Sequence, residues 1–188
     1  MEVLCEVSVR HVHLSQEHVN TLFGKGHKLT PARELSQPGQ YLCEERVDLM
    51  TPKATFKDVA IIGPTRAKSQ VELSRTDCFT LGLKNVPIRQ SGHLDGSVGI
   101  SIKTNLGTIN LDDGVIIGQR HVHLDPETAS KNNLIDGQIV GIQFDGSRSG
   151  VLGNTVVRVH ETFSSAIHID TDEGNAMNFS KGTARIIV

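Results

Sequence analysis

The pentapeptide Arg-His-Val-His-Leu occurs twice, at Arg10 to Leu14 and at Arg120 to Leu124, 110 residues apart. Five identities in a row, two of them histidine, are not a product of composition in a chain with nine histidines among 188 residues. A second match is weaker. VELSRTDCFTLGL from Val71 and IHIDTDEGNAMNF from Ile167 are displaced by 96 residues and lay Glu72 on His168. Both matches keep the same order, so the chain reads as two related halves, each with one potential metal site, and its fold must be one that can be built twice.

Local signals say what each half is made of. Glu2 to Leu14 is rich in valine and reads as a strand. Ser15 is then placed to cap a helix QEHVNTLFG that stops at Gly24. After the second pentapeptide Asp125 can cap, Pro126 suits a first helical turn, and ETASKNNL runs on to Asp136 and Gly137. Short β-type runs lie between and after these helices (FKDVAII, SVGISI, GQIVGIQF, NTVVRV), separated by the turn signals PGQ, DDG and DGSRSG. The expected fold class is mainly β with short α-helices, as small β-barrels or sandwiches. The change of unit falls near Gly114 to Gly118. A ring of eight strands and eight helices, which takes about 250 residues, does not fit this length.

Alternation along a strand puts His11 and His13 on one face and Val12 on the other, and the same holds for His121, Val122 and His123. Two imidazoles so presented can chelate one metal ion. The repeat supplies the third donor, Glu72 for the first pair and His168 for the second, each between aliphatic neighbours in VEL and IHI. Two histidines with a carboxylate, or three histidines, bind Zn²⁺ and leave a position open for water or substrate. A lone His-x-His is commonly a packing feature, and its recurrence is what points to a site. His18, His27, His93 and His160 have no partner at ligand spacing and are assigned to helix surface or loops. Arg10 and Arg120 face away from the metal side and serve to hold strand ends. Arg66 lies six residues before Glu72 in GPTRAKSQVE. Spacing alone leaves it open between an anion fork and a surface arginine. The acidic Asp170 to Glu173 reads as a helix start, and the loop Arg89 to Gly96 as a turn that could accommodate a ligand.

Composition narrows the partners. Nineteen basic against 21 acidic residues leave a net charge of −2 with no basic run, which disfavours nucleic acid and membrane surfaces. Cys5, Cys43 and Cys78 are an odd number without a Cys-x-x-Cys pair, so each is read as an ordinary buried thiol. The start MEVLCEVSVRHVHL has neither a basic head nor an unbroken apolar stretch, and a cytoplasmic location is expected.

VSVRHVHLS, GPTRAKSQVELS, the PIRQSG loop, GVIIGQRHVHLDPE and IHIDTDEGNAMNF, in this order and spacing, resemble the phosphotransacylases of the propanediol-utilisation type (PduL-type phosphate acyltransferases). The likeness covers nearly the whole chain. It implies exchange of an acyl group, propanoyl or acetyl, between coenzyme A and inorganic phosphate at a two-zinc site between two β-barrel domains. Carried over, His11, His13 and Glu72 hold one zinc, His121, His123 and His168 hold the other, and Arg66 holds phosphate. The domains implied are 10–118 and 119–188, with 1–9 joining the second. Direct transfer in a ternary complex is expected, with the thiolate at the Glu72 site, and a homodimer is the expected assembly. Microcompartment relatives carry an extra amphipathic segment before the first His-x-His. Here that motif begins ten residues after Met1, which favours a free enzyme.

Two other classes compete. A non-catalytic cupin-like metal-binding module would use the His-x-His-xxx-Glu order of HVHLSQE and HVHLDPE, with Glu17 and Glu127 as ligands. Against it, the caps Ser15 and Asp125 turn both glutamates onto helix surfaces. A mononuclear metal-dependent hydrolase would need the larger barrel that the length disfavours.

Overall fold

The computed structural model describes all 188 residues. In chain order it forms β1 (Glu2–Ser8), β2 (His11–His13), α1 (Gln16–Phe23), β3 (Pro31–Glu34), β4 (Tyr41–Met50), β5 (Thr55–Gly63), β6 (Gln70–Leu73), α2 (Arg75–Leu81) and β7 (Ile88–Arg89). It continues with β8 (Val98–Lys103), β9 (Thr108–Gly118), β10 (His121–Leu124), α3 (Pro126–Lys131), β11 (Ile139–Phe144), β12 (Gly150–Val159), β13 (Ala166–Asp170), α4 (Thr171–Ala176) and β14 (Lys181–Ile187). Two compact units result. The N-terminal unit holds Arg10–Leu35 and Gly39–Gly118, and the C-terminal unit holds Gln119–Val188 together with Met1–Val9 and Ser36–Pro38.

Each unit is a closed barrel of six strands. In the C-terminal unit the ring runs β1-β13-β10-β12-β11-β14 and closes by β14 on β1. In the N-terminal unit it runs β9-β6-β2-β5-β4-β8 and closes by β8 on β9, with β3 and β7 as outriders on β4 and β9. The two rings match strand for strand. The His-x-His strand is parallel to one neighbour, β5 or β12, and antiparallel to the other, β6 or β13. The latter is in turn parallel to β9 or β1. Closure leaves neither ring with an open edge to template aggregation.

The strand before each His-x-His therefore belongs to the other unit: β1 precedes β2 but closes the C-terminal ring, while β9 precedes β10 but closes the N-terminal one. The run Glu2 to Leu14, expected as one strand, is accordingly broken at Val9 and Arg10, where the chain changes barrel. The DDG at Asp112 to Gly114, expected as a turn, lies inside β9. Gly114 takes φ 125°, and the β8–β9 register shifts between Val98 and Ile100, so the glycine makes a bulge and not a reversal. The helix begun at Pro126 stops at Lys131, short of the expected Leu134. Asn133 adopts φ 53° and the Leu134 N–H reaches back to the Ala129 carbonyl, which ends the helix and sends Leu134 into the core.

The barrel interiors explain where the histidines point. Val12 lies beside Val71 and Ile61, and Val122 beside Ile167 and Val157, all fully buried. Burying each such side chain is worth about 1.5–3 kcal/mol, which fixes strand orientation against a one-residue slip. With the valines inside, alternation sends the flanking histidines to the other face of the wall.

Candidate metal centres

Register completes each centre. His11 lies opposite Glu72 and His121 opposite His168, so the 96-residue and 110-residue repeats meet on adjacent strands. His11, His13 and Glu72 form one group and His121, His123 and His168 another, with donor atoms in each within 4.8 Å of one another. In the first, His11 Nε2 lies 3.7 Å from Glu72 Oε2 and His13 Nε2 lies 3.9 Å from Oε1. In the second, the ring centroids are 4.5–5.0 Å apart. Six of the residues singled out from the sequence make up these two groups, and Arg66 reaches the first of them through Ser91.

Hydrogen bonds fix the ring orientations. His13 Nδ1 donates to the Ile62 carbonyl at 3.0 Å, with its Nε2 on the Glu72 side, and His121 Nδ1 donates to the Gln119 carbonyl at 2.8 Å. Burial, then the charge of His11 and Arg66, lowers His13 to about 3. Burial, with His121, His168 and Arg158, lowers His123 to about 2. Both rings are therefore neutral, as a metal ligand must be. Burial opposes charge on Glu72, but His11, His13, the Ser91 hydroxyl and Arg66 outweigh it and hold the carboxyl down at about 2. His123 is 6% exposed, and neither of its ring nitrogens has a hydrogen-bond partner. Buried orphans of this kind are rare, and a cation bound by the three imidazoles satisfies one of them. The donor sets, two histidines with a carboxylate and three histidines, fit Zn²⁺ with a vacant fourth position.

Other contacts were not assigned from the sequence, although Ser91 lies in the loop Arg89 to Gly96 singled out there. Ser91 donates to Glu72 Oε1 at 2.8 Å and accepts from Arg66 Nη1 and Gln70 Nε2, both at 2.8 Å. Gln70 also donates to the same Glu72 oxygen. Gly118 leaves room for the carboxylate as it stands, since a Cβ there would meet Glu72 Oε2 at 2.9 Å and push it aside. At the second group Glu6 Oε2 lies 3.8 Å from His168 Nδ1 and accepts from the Ser36 hydroxyl, while Phe163 stacks on His123 at 4.0 Å. Ser91 and Glu72 are 19 residues apart, and Glu6 sits before the first repeat; only folding reveals these pairings.

The remaining histidines stand outside both groups. His18 bonds Ser69 and His27 bonds Glu45, while His93 and His160 are exposed. Glu17 and Glu127 lie exposed on α1 and α3, the latter paired with Lys131, so the cupin-type ligand set does not form. Asp170 caps α4, and Glu173 completes its capping box. All three cysteines are buried, and none is in a disulfide.

The fold and these groups together define a duplicated β-barrel protein with a candidate metal centre in each barrel. The family model for phosphate propanoyltransferase matches residues 4–180. A phosphate propanoyltransferase of Clostridioides difficile is 48% identical over 97% of this chain and 87% of its own. One from Sebaldella termitidis is 46% identical over 97% and 86%, and one from Thermotoga maritima 43% over 99% and 89%. The chain belongs to the phosphate propanoyltransferase family and is an acyltransferase of the phosphate-acylating class. No helix is long and apolar enough to cross a membrane.

Proposed function

We propose that the chain exchanges a short acyl group, propanoyl or acetyl, between coenzyme A and inorganic phosphate, with one zinc ion held by His11, His13 and Glu72 and a second by His121, His123 and His168. A phosphate oxygen forms a bond to the acyl carbon, the C–S bond breaks, and the CoA sulfur leaves as a thiolate. Zinc in these centres would supply Lewis acidity and affinity for the departing thiolate. Arg66 binds phosphate by its planar fork, and Ser91 fixes that fork by accepting from Nη1 while its own proton goes to Glu72. Bringing phosphate to the carbonyl carbon in this way is a proximity effect worth several kcal/mol.

Transfer is direct, without a covalent acyl-enzyme. Burial pushes the Cys5 thiol up to about 12 and Cys43 up to about 11, which removes them as nucleophiles. The observation that carries this reading is one three-donor group in each barrel, with Arg66 joined to the Glu72 group through Ser91, in a chain of this family. The test is CoA release from acetyl-CoA and propanoyl-CoA, with and without phosphate, before and after chelation and readdition of Zn²⁺. Phosphate-dependent release, lost on chelation and regained with zinc, is expected. Full activity in protein verified to be metal-free overturns the zinc assignment.

A further inference from the structure

We propose that Arg10 with Asp77, and Arg120 with Glu173, are positioning residues, each pair setting the donor spacing of its own centre and thereby the metal affinity of that centre alone. The proposal rests on the reading of the two donor groups as metal centres. In the N-terminal unit Arg10 Nε and Nη2 donate to Asp77 Oδ1 at 3.0 and 2.6 Å, and Asp77 Oδ2 accepts from the Ser74 N–H at 3.2 Å. In the C-terminal unit Arg120 Nε donates to Glu173 Oε1 at 2.6 Å, and Glu173 Oε2 accepts from the Asp170 N–H at 2.9 Å. One carboxylate in each barrel thus bridges the residue just before His-x-His and the residue two beyond the third donor.

The placement matters because those two residues bound the short ladder on which the donors lie. His11 faces Glu72, and His121 faces His168, at the ladder end where the bridge closes. Each arginine is also held by the strand on the other side of His-x-His. Arg10 lies over the Phe56 ring at 4.4 Å, on β5, and Arg120 donates to the Gly153 carbonyl, on β12. The guanidinium therefore ties together the His-x-His strand, its parallel neighbour, and the helix that follows the third donor.

A helix cap alone does not require this. The capping box uses the carboxylate oxygen that accepts from the cap N–H, and the arginine takes the other oxygen. The cap pair differs between the barrels, Ser74 with Asp77 in one and Asp170 with Glu173 in the other, yet the arginine bridge forms in both. Asp77 is 3% exposed, and Arg10 Nη2 meets its carboxylate at 2.6 Å. Metal donors must hold their positions to within about 0.2 Å. Loss of an outer support of this kind typically costs 10–100-fold in metal affinity.

The test separates the two centres in the full-length chain. His168→Ala leaves the Glu72 centre and Glu72→Ala leaves the three-histidine centre, and the affinity of each is read with Zn²⁺ and Co²⁺ against a chromophoric chelator. Arg10→Gln is expected to weaken binding tenfold or more in the His168→Ala chain and to leave the Glu72→Ala chain unchanged. Arg120→Gln is expected to do the reverse. Arg10→Lys, which keeps the charge with one donor direction, should fall between. Should Arg10→Gln not fold, Asp77→Asn removes the charge while keeping an oxygen for the cap and must give the same one-sided loss. Equal weakening of both centres, or a lowered melting temperature of the metal-free chain with both affinities intact, overturns the proposal. A chain with unaltered Arg10 and Arg120 that binds neither ion overturns instead the metal reading beneath it.

Discussion

The two barrels share ring order, strand register and the His-x-His pair, and they part at the third donor, Glu72 in the N-terminal unit and His168 in the C-terminal one. That single exchange reorganises the surroundings. Where the donor is a carboxylate, neutral and cationic donors converge on it from Ser91, Gln70 and Arg66. Where it is an imidazole, the carboxylate reappears one strand further on, as Glu6 behind His168, supported by Ser36. In register, Glu6 stands against His168 as the buried Ile116 stands against Glu72. Duplication has thus kept the wall that points the donors and varied the charge inside it. A divalent ion among three imidazoles would keep one more unit of positive charge from its ligands than the same ion beside Glu72, and the Glu6 carboxylate behind His168 offsets that difference.

The comparison breaks first at the donors themselves. Glu72→Ala and His168→Ala are each expected to lower bound metal by one equivalent per chain while the other centre stays loaded. If both centres serve one reaction, each variant also loses activity by a factor on the order of 10²–10³, the cost typical of removing one preorganised charge-stabilising element. Metal content by elemental analysis, beside phosphate-dependent CoA release, checks this. Retention of two equivalents would strike the altered residue from its centre, and full activity with one equivalent would make the centres functionally unequal.

How far these centres were legible in the sequence follows from what each donor depends on. The histidine pairs were readable because period-two alternation is local, and Glu72 and His168 because the repeat aligned them. The closed rings were not: nothing local tells β1 to leave β2 and close the other barrel, since strand pairing is a non-local choice. Gly114 read as a turn because a glycine after two aspartates signals one, yet the same backbone freedom serves a bulge. Ser91 and Glu6 come from distant segments, and their roles exist only once Glu72 and His168 have been placed.

A finer test concerns the anion and not the metal. Arg66 touches the carboxylate-centre network through Ser91, so its loss should leave the metal count intact and fall on phosphate. Arg66→Lys keeps the charge but loses the planar fork, and should impair activity about as much as Arg66→Ala, by at least about tenfold with a raised phosphate KM and CoA binding nearly unchanged. Steady-state kinetics with each substrate varied in turn measure this. A defect confined to CoA, or near-normal phosphate kinetics in both variants, would remove Arg66 as the phosphate anchor.

The smallest effect asks whether the two walls bury their histidines alike. His13 and His123 are held near 3 and near 2, chiefly by burial, against an ordinary value of 6.5. Between those values and 6.5 the unfolded chain binds protons that the folded chain refuses, so stability rises with pH there and falls as pH is lowered through 6.5. Glu72, depressed from 4.5 to about 2, has the same sign but loses its contribution only between those values, so above about pH 5 the histidines dominate the slope. Taking the metal-free chain from pH 7.5 to about 5.5 should therefore cost about 1.4 kcal/mol for each of the two histidines. His13→Gln and His123→Gln should each remove about that much of the pH dependence, although one centre has a carboxylate and the other has none. Denaturant melts of metal-free protein at the two pH values measure the difference. Equal reductions would mean that burial in the shared wall governs both rings, whereas a reduction from His123→Gln alone would mean that Glu72 protects His13 from the cost and that the donor exchange reaches into stability.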